Sequence, residues 1–243
     1  MIFKASDFVF TPPARLSWAR RVLIKPCAHF PLPYPVTTSP EILNTIIEGI
    51  RKVSDADIFI ADGMPEGESI YSVYQDLKYN FNNVLMLDVR DSIFLEMENP
   101  LTEFFAVPTF WASNLVLRSD FLISVAPFKV CGNRGYFSVA NLLSLLPVNK
   151  YRRDGWGNWS ALRELEIEKV FTDLYFTMPT DIGVIEARQK FFYTDDPTEG
   201  KVEECGKIFV GDPYEVDREA SQLAGVRCEH LDLIDEGRKQ FES

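Results

Sequence analysis

The sequence has no C-x-x-C pair: Cys27, Cys131, Cys205 and Cys228 stand far apart, which removes the spacing signature of an iron–sulfur cluster, a zinc site or a disulfide framework. The four thiols are expected to be reduced. No apolar run approaches the roughly 20 residues that span a bilayer. The opening residues Met1-Ile2-Phe3-Lys4-Ala5-Ser6-Asp7 lack the charged-then-apolar order of a signal peptide. A cytoplasmic protein with no membrane partner is therefore expected. Positive charge is also scarce. With 25 Lys plus Arg against 36 Asp plus Glu the net charge is −11, the wrong sign for a nucleic-acid partner. The Walker and G-x-G-x-x-G patterns are absent, as are internal repeats and low-complexity tracts, and no motif names a cofactor.

What is present is an ordinary globular balance, with 46% hydrophobic and 25% charged residues, enough for a sizeable core. Its 243 residues are expected to form a single α/β domain over 1–243, with two tightly merged subdomains as the alternative. Arg21–Lys25 and Asp57–Asp62 are short apolar runs ended by Pro26 and Gly63, and read as buried strands. Between them Ser39 supplies an N-cap, Pro40 fits the first helical position, and Ile42, Leu43, Ile46, Ile47 and Ile50 form one apolar stripe. Strand, helix, strand implies a parallel crossover. A helix over 69–80 and a strand over 83–88 continue the alternation. Segments 92–98 and 104–110 read as an antiparallel excursion before the buried strand 120–125. Residues 136–146 read as a buried helix, 149–159 as a mobile surface loop and 160–176 as a long helix. Strands at 182–186 and 207–211 follow, then a helix opened by Asp212-Pro213 and a short helix in the acidic tail. The fold class is thus α/β: a mainly parallel sheet with helices on both faces and some antiparallel strands in the middle third.

In such a sheet, ligands collect beyond the carboxyl ends of the strands, where loops and helix N-termini present free groups. Those ends carry Lys25-Pro26-Cys27-Ala28-His29, Asp62-Gly63, Asp88 to Asp91, Pro127 to Cys131, Glu186 to Arg188 and Gly211-Asp212. If the strands ending at Lys25, Asp62, Val125 and Val210 all open on one edge, these groups share a rim. Plain structural readings stand beside this one. Lys25 fits a snorkelling strand-end charge, Asp212 before Pro213 fits an N-cap, and Cys27 with His29 falls short of the three or four ligands a metal site needs. Lys129 to Gly135 combines cations and glycines ahead of an expected helix, a loop suited to a phosphate or carboxylate or simply a tight turn.

Several segments together resemble the family known as domain of unknown function 362. They are Val22 to Pro26, Thr37 to Glu41, Ile58 to Gly63, Asp120 to Pro127 with Lys129, Asn141 to Pro147, and Gly211 to Asp217, in the family's order from Arg21 to Gly225. Members are often joined to ferredoxin-like 4Fe-4S modules, so the resemblance implies a redox-associated setting. It carries function onto Lys25, Asp62, Gly63, Lys129, Asn141, Asp212 and Asp217. The chain departs from the pattern in several places. Cys27 stands where asparagine is usual, Phe128 and Cys131-Gly132 where two lysines and a histidine are usual, Ala140-Asn141 where a Lys-Asn pair is usual, and Glu186 where aspartate is common. The cluster-binding cysteines of the ferredoxin module are missing, so the isolated chain is expected to carry no iron–sulfur cluster.

Two functions are open at this point. One is an enzyme or binding protein for a small anionic molecule. There Lys25 and Lys129 orient the anion with Gly63, Asn141 and Asp212 in the binding site, Asp62 or Asp217 is the acid or base, and Cys27 is a nucleophile. The other is a non-catalytic binding or regulatory partner of a separate iron–sulfur protein. No metal ligand set is expected in either.

Overall fold

The computed structural model describes residues 1–153 and 157–242. Its strands are β1 (Ile2–Lys4), β2 (Arg21–Pro26), β3 (Asp57–Asp62), β4 (Val84–Asp88), β5 (Phe94–Glu98), β6 (Thr109–Ser113), β7 (Phe121–Cys131), β8 (Arg134–Tyr136), β9 (Ile182–Tyr193) and β10 (Lys201–Gly211). The α-helices are α1 (Pro40–Arg51), α2 (Tyr71–Asp76), α3 (Asn114–Arg118), α4 (Ser160–Arg163), α5 (Ile167–Thr177), α6 (Pro213–Ala224) and α7 (Glu229–Arg238). Among the described residues no helix is long and apolar enough to cross a membrane.

The main sheet runs β1-β10-β9-β7-β2-β3-β4, with β8 paired to β7. Strands β4, β3, β2, β7 and β9 are mutually parallel, whereas β10 and β1 close one side antiparallel. Alternation along each strand divides its side chains between two layers. Val22 and Ile24 enter the core beneath α1, while Leu23, between them, joins the opposite layer with Leu142 and Phe171. Helix α1 forms as its sequence requires: Ser39 accepts from Ile42 N at 3.1 Å, Pro40 sits at the first position, and the five-residue apolar stripe is buried. From β2 the chain steps outward to β3 and β4, then returns across β2 to β7. Strand order therefore reverses between β2 and β7, and the loops leaving these two strands diverge.

Several expectations are corrected. Strand β10 returns from β9 by a hairpin, so its Val210–Asp212 end opens on the edge opposite to Lys25, Asp62 and Val125. The strand expected over 104–110 is displaced to Thr109–Ser113, because the backbone N–H groups of Phe105, Ala106 and Val107 donate to the Asp173 carboxylate at 2.7–3.0 Å. The antiparallel excursion itself is present, as the separate pair β5–β6. Residues 136–146 are not one helix: Gly132, at φ +56°, turns the chain back into β8, and a 3-10 helix follows at Ala140–Leu145. The Lys129–Gly135 loop is thus a hairpin turn and does not lead into a helix N-terminus. The long helix over 160–176 breaks at Glu166, at φ +60°, into α4 and α5, and the helix expected over 69–80 is confined to α2, with Lys78 left-handed at φ +59°. Of the loop expected at 149–159, residues 154–156 lie outside the described residues. Among its described residues Lys150, Arg152 and Asn158 are exposed, while Tyr151 and Trp159 are buried, and Trp159 Nε1 donates to Leu146 O at 2.9 Å.

Away from the sheet's carboxyl edge, α5, α6 and α7 meet at a buried ion cluster. His230 Nδ1 lies 2.7 Å from Glu168 Oε2, and its Nε2 lies 3.7 Å from Asp217 Oδ2. Burial alone would lower the imidazole's pKa, but the two carboxylates outweigh it and push it up to about 9.

Candidate functional site

Because β2, β3 and β7 are parallel, Lys25, Asp62 and the end of the apolar run in β7 do converge on one edge. They meet as a buried network. Lys25 Nζ donates to Pro26 O and Asn141 Oδ1, each at 2.7 Å, and pairs with Asp62 Oδ1 at 3.0 Å. An ammonium has three donors, so all of Lys25's are engaged by protein. Desolvation pulls its pKa below the ordinary lysine value, against the opposing pull of Asp62. The Asp62 carboxylate also accepts from Ala28 N at 2.8 Å, Gly63 N at 2.9 Å and Ser144 Oγ. Asn141 Nδ2 returns hydrogen bonds to Lys25 O and Ser124 Oγ, both at 3.1 Å. The network ties the ends of β2, β3 and β7 to the 3-10 helix above them.

Gly63 belongs to this floor through packing. A Cβ there would meet the Ser144 carbonyl oxygen at 2.8 Å. Gly63→Ala should therefore lower stability by about 1–3 kcal/mol, as overpacking against backbone does, read as a lower urea midpoint. A neutral result would show that the 3-10 helix can shift away.

On this floor rests a cavity of about 530 Å³ at the reversal between β2 and β7. Cys27, His29 and Phe30 line it from the β2 loop, Lys129 from β7, and Trp159 and Tyr193 from farther along the chain. The β2 loop is fixed at its backbone: Cys27 N donates to Thr38 Oγ1, and Thr38 N to Cys27 O, both at 2.9 Å. His29 Nδ1 lies 3.5 Å from Asp62 Oδ2, and the ring meets Trp159 edge-on with centroids 6.4 Å apart. Burial would raise the Cys27 thiol, but Lys129 first, then the neighbouring His29 and Lys25, bring it down to about 6. Lys129 is only 6% exposed. Its Nζ reaches Val36 O at 3.3 Å and lies over the rings of Phe30 and Tyr193 at 5.6 and 5.7 Å. Among the described residues no carboxylate lies within salt-bridge distance of it.

Of the residues singled out from sequence, Cys27, Lys129 and Asn141 line the cavity, and Lys25, Asp62 and Gly63 form its floor. Asp212 and Asp217 do not join them. Asp212 caps α6 on the far edge, accepting from Tyr214 N at 3.0 Å and Glu215 N at 3.2 Å. Asp217 is buried behind the cavity, accepting from Ser138 N at 2.9 Å, Val139 N at 3.0 Å and Ser138 Oγ. Glu186, a rim residue in the sequence, anchors the start of α1 by accepting from Ser39 N and Oγ at 3.0 and 2.7 Å. Ser144, Trp159 and Tyr193 escaped sequence reasoning, and no spacing signal marks them. Among the described residues no trio of His, Cys, Asp or Glu is grouped to hold a metal ion.

The family model described as "Domain of unknown function (DUF362)" matches residues 22–222. No curated protein sequence matches the chain. Among solved structures, the chain is similar to the lactate racemase apoprotein from Thermoanaerobacterium thermosaccharolyticum, with a TM-score of 0.53 at 12% identity. The match covers 90% of this chain and 53% of that one, so the chain spans about half the length of that structure. The likeness is one of fold.

Proposed function

The chain belongs to the DUF362 family, and from its cavity we propose that it binds a small anionic molecule, a carboxylate or phosphate, at the carboxyl edge of the parallel strands. The observation that carries this reading is Lys129. A cation removed from water is costly unless paired, yet among the described residues this one has a single long hydrogen bond to a carbonyl and two aromatic faces for company. An anionic ligand in the cavity would complete its coordination, and the aromatic walls would bury the rest of the molecule. Lys25 supports the floor without touching the ligand. The redox-associated setting is part of the proposal and rests on the family's link to iron–sulfur modules.

A thermal-shift screen of phosphates, nucleotides and carboxylates should return stabilising compounds, each then titrated against wild type and Lys129→Ala. Loss of one charge-assisted contact should weaken binding about ten- to a hundredfold. A hit whose affinity ignores Lys129, or a screen without hits, defeats the reading.

A further inference from the structure

We propose that Cys27 is the nucleophile of a covalent acyl-transfer site in this cavity, with His29 moving the proton, and that the substrate is an ester or thioester bearing an anionic group for Lys129. The proposal rests on the anion-binding reading for its substrate class, but not for its nucleophile. Three features of the geometry carry it. Cys27 and His29 face the same cavity as Lys129, from a loop whose backbone Thr38 and Asp62 hold on both sides. Asp62 Oδ2 lies 3.5 Å from His29 Nδ1, and Lys25, Gly63 N and Ser144 fix the other oxygen of that carboxylate. His29 Nδ1 is buried and has no other hydrogen-bond partner among the described residues, so the Asp62 carboxylate is what orients the ring, and the proton moves at the other ring nitrogen. The order thiol, imidazole, carboxylate is the arrangement in which a base, itself oriented by a third group, activates a nucleophile. The lowered thiol pKa agrees with it. The other buried thiol, Cys228, is pushed up to about 12 by burial and the neighbouring Asp217 charge, and packs against Gly135 O.

The reaction closes without an oxidant or reductant. Cys27, as thiolate beside protonated His29, attacks the acyl carbon, and the C–S bond forms as the carbonyl π pair moves to oxygen. The tetrahedral species collapses, the bond to the leaving oxygen or sulfur breaks, and His29 delivers its proton to that group. Water then attacks the Cys27 thioester and gives a proton to His29. The C–S bond breaks, a carboxylic acid departs and the thiolate is restored.

The test uses the full chain. Iodoacetamide labelling followed by peptide mass analysis should show Cys27 alkylated with a rate half-maximal near pH 6. At that pH its advantage over a thiol of ordinary pKa should be about tenfold, the larger thiolate fraction outweighing the lower intrinsic nucleophilicity. His29→Ala should move the midpoint upward. The 4-nitrophenyl monoester of succinic acid should then release about one equivalent of nitrophenol per chain in a burst, leaving a succinyl adduct on Cys27, both lost in Cys27→Ser. A midpoint near that of ordinary thiols, or an adduct on another residue, overturns the proposal. If neutral 4-nitrophenyl acetate acylates Cys27 equally well and Lys129→Met changes neither rate, the nucleophile stands and the anion reading falls. If the succinyl ester binds competitively with a screened anion but never acylates the chain, the anion reading stands and the nucleophile falls.

Discussion

Asp62→Ala is expected to lower the unfolding free energy by about 3–5 kcal/mol, because it leaves the Lys25 ammonium buried and unpaired. Lys25 has no solvent exposure, and without Asp62 its remaining partners are the neutral oxygens of Pro26 and Asn141. The backbone donors of Ala28 and Gly63 lose their acceptor as well. Asp62→Asn should cost less, since an amide oxygen keeps part of that acceptor capacity. Removing both charges together, in Lys25→Met with Asp62→Leu, should recover a large part of the loss, as replacement of buried pairs by apolar residues often does. Urea unfolding of the four proteins measures each difference. A loss below about 1 kcal/mol in Asp62→Ala would mean that Lys25 sheds its proton or reaches water at little cost.

The second large effect is a dependence on alkaline pH. His230 has a folded-state pKa of about 9, above the unfolded value near 6.5. A raised value means the folded state binds the proton more tightly. The contribution is therefore complete below about pH 6.5 and disappears as pH rises through about 9, a total of about 3 kcal/mol. Glu168 behaves in the opposite sense. Burial opposes its ionisation, but the His230 hydrogen bond and charge hold its pKa below the ordinary value, so its contribution is lost only as pH falls through that lowered value. Denaturant midpoints followed from pH 6 to pH 10 should decline in wild type, with a much shallower slope in His230→Gln. Equal slopes in the two proteins would remove His230 from the explanation.

The parallel core was legible because it is written in runs that are apolar on both faces, as Val22 to Ile24 and Phe121 to Val125 are, and α1 because cap, proline and stripe agree. The direction of β10 was not. An alternating strand reads alike in either sense, and the clue lay in the connection. Strands β9 and β10 extend outward through polar, partly exposed positions such as Arg188, Gln189, Glu203 and Glu204, beyond where an apolar-run criterion ends them. Only seven residues separate Tyr193 from Lys201, too few for the dozen or so that a parallel crossover needs. Strand ends put Lys25, Asp62 and Lys129 at one edge, yet do not show that the first two answer each other while, among the described residues, no carboxylate pairs with the third. Asn141 lies 116 positions from Lys25, and nothing local announces their hydrogen bond. Cys27 and His29 were visible as a pair. The chemistry proposed for them depends on Lys129 and Asp62, which only the fold brings alongside.

The antiparallel closure of the sheet also sets a timetable. Ile2 pairs with Phe209, and Lys4 with Lys207. Strand β1 therefore has no partner until β10 has left the ribosome, whereas β2 and β3 are joined through a single helix. Closing so long a loop is entropically unfavourable and slow compared with assembly of neighbouring units. Strand β1 should thus be among the last elements to find its place, and β10 should present an unpaired edge to solvent for as long as β1 is missing.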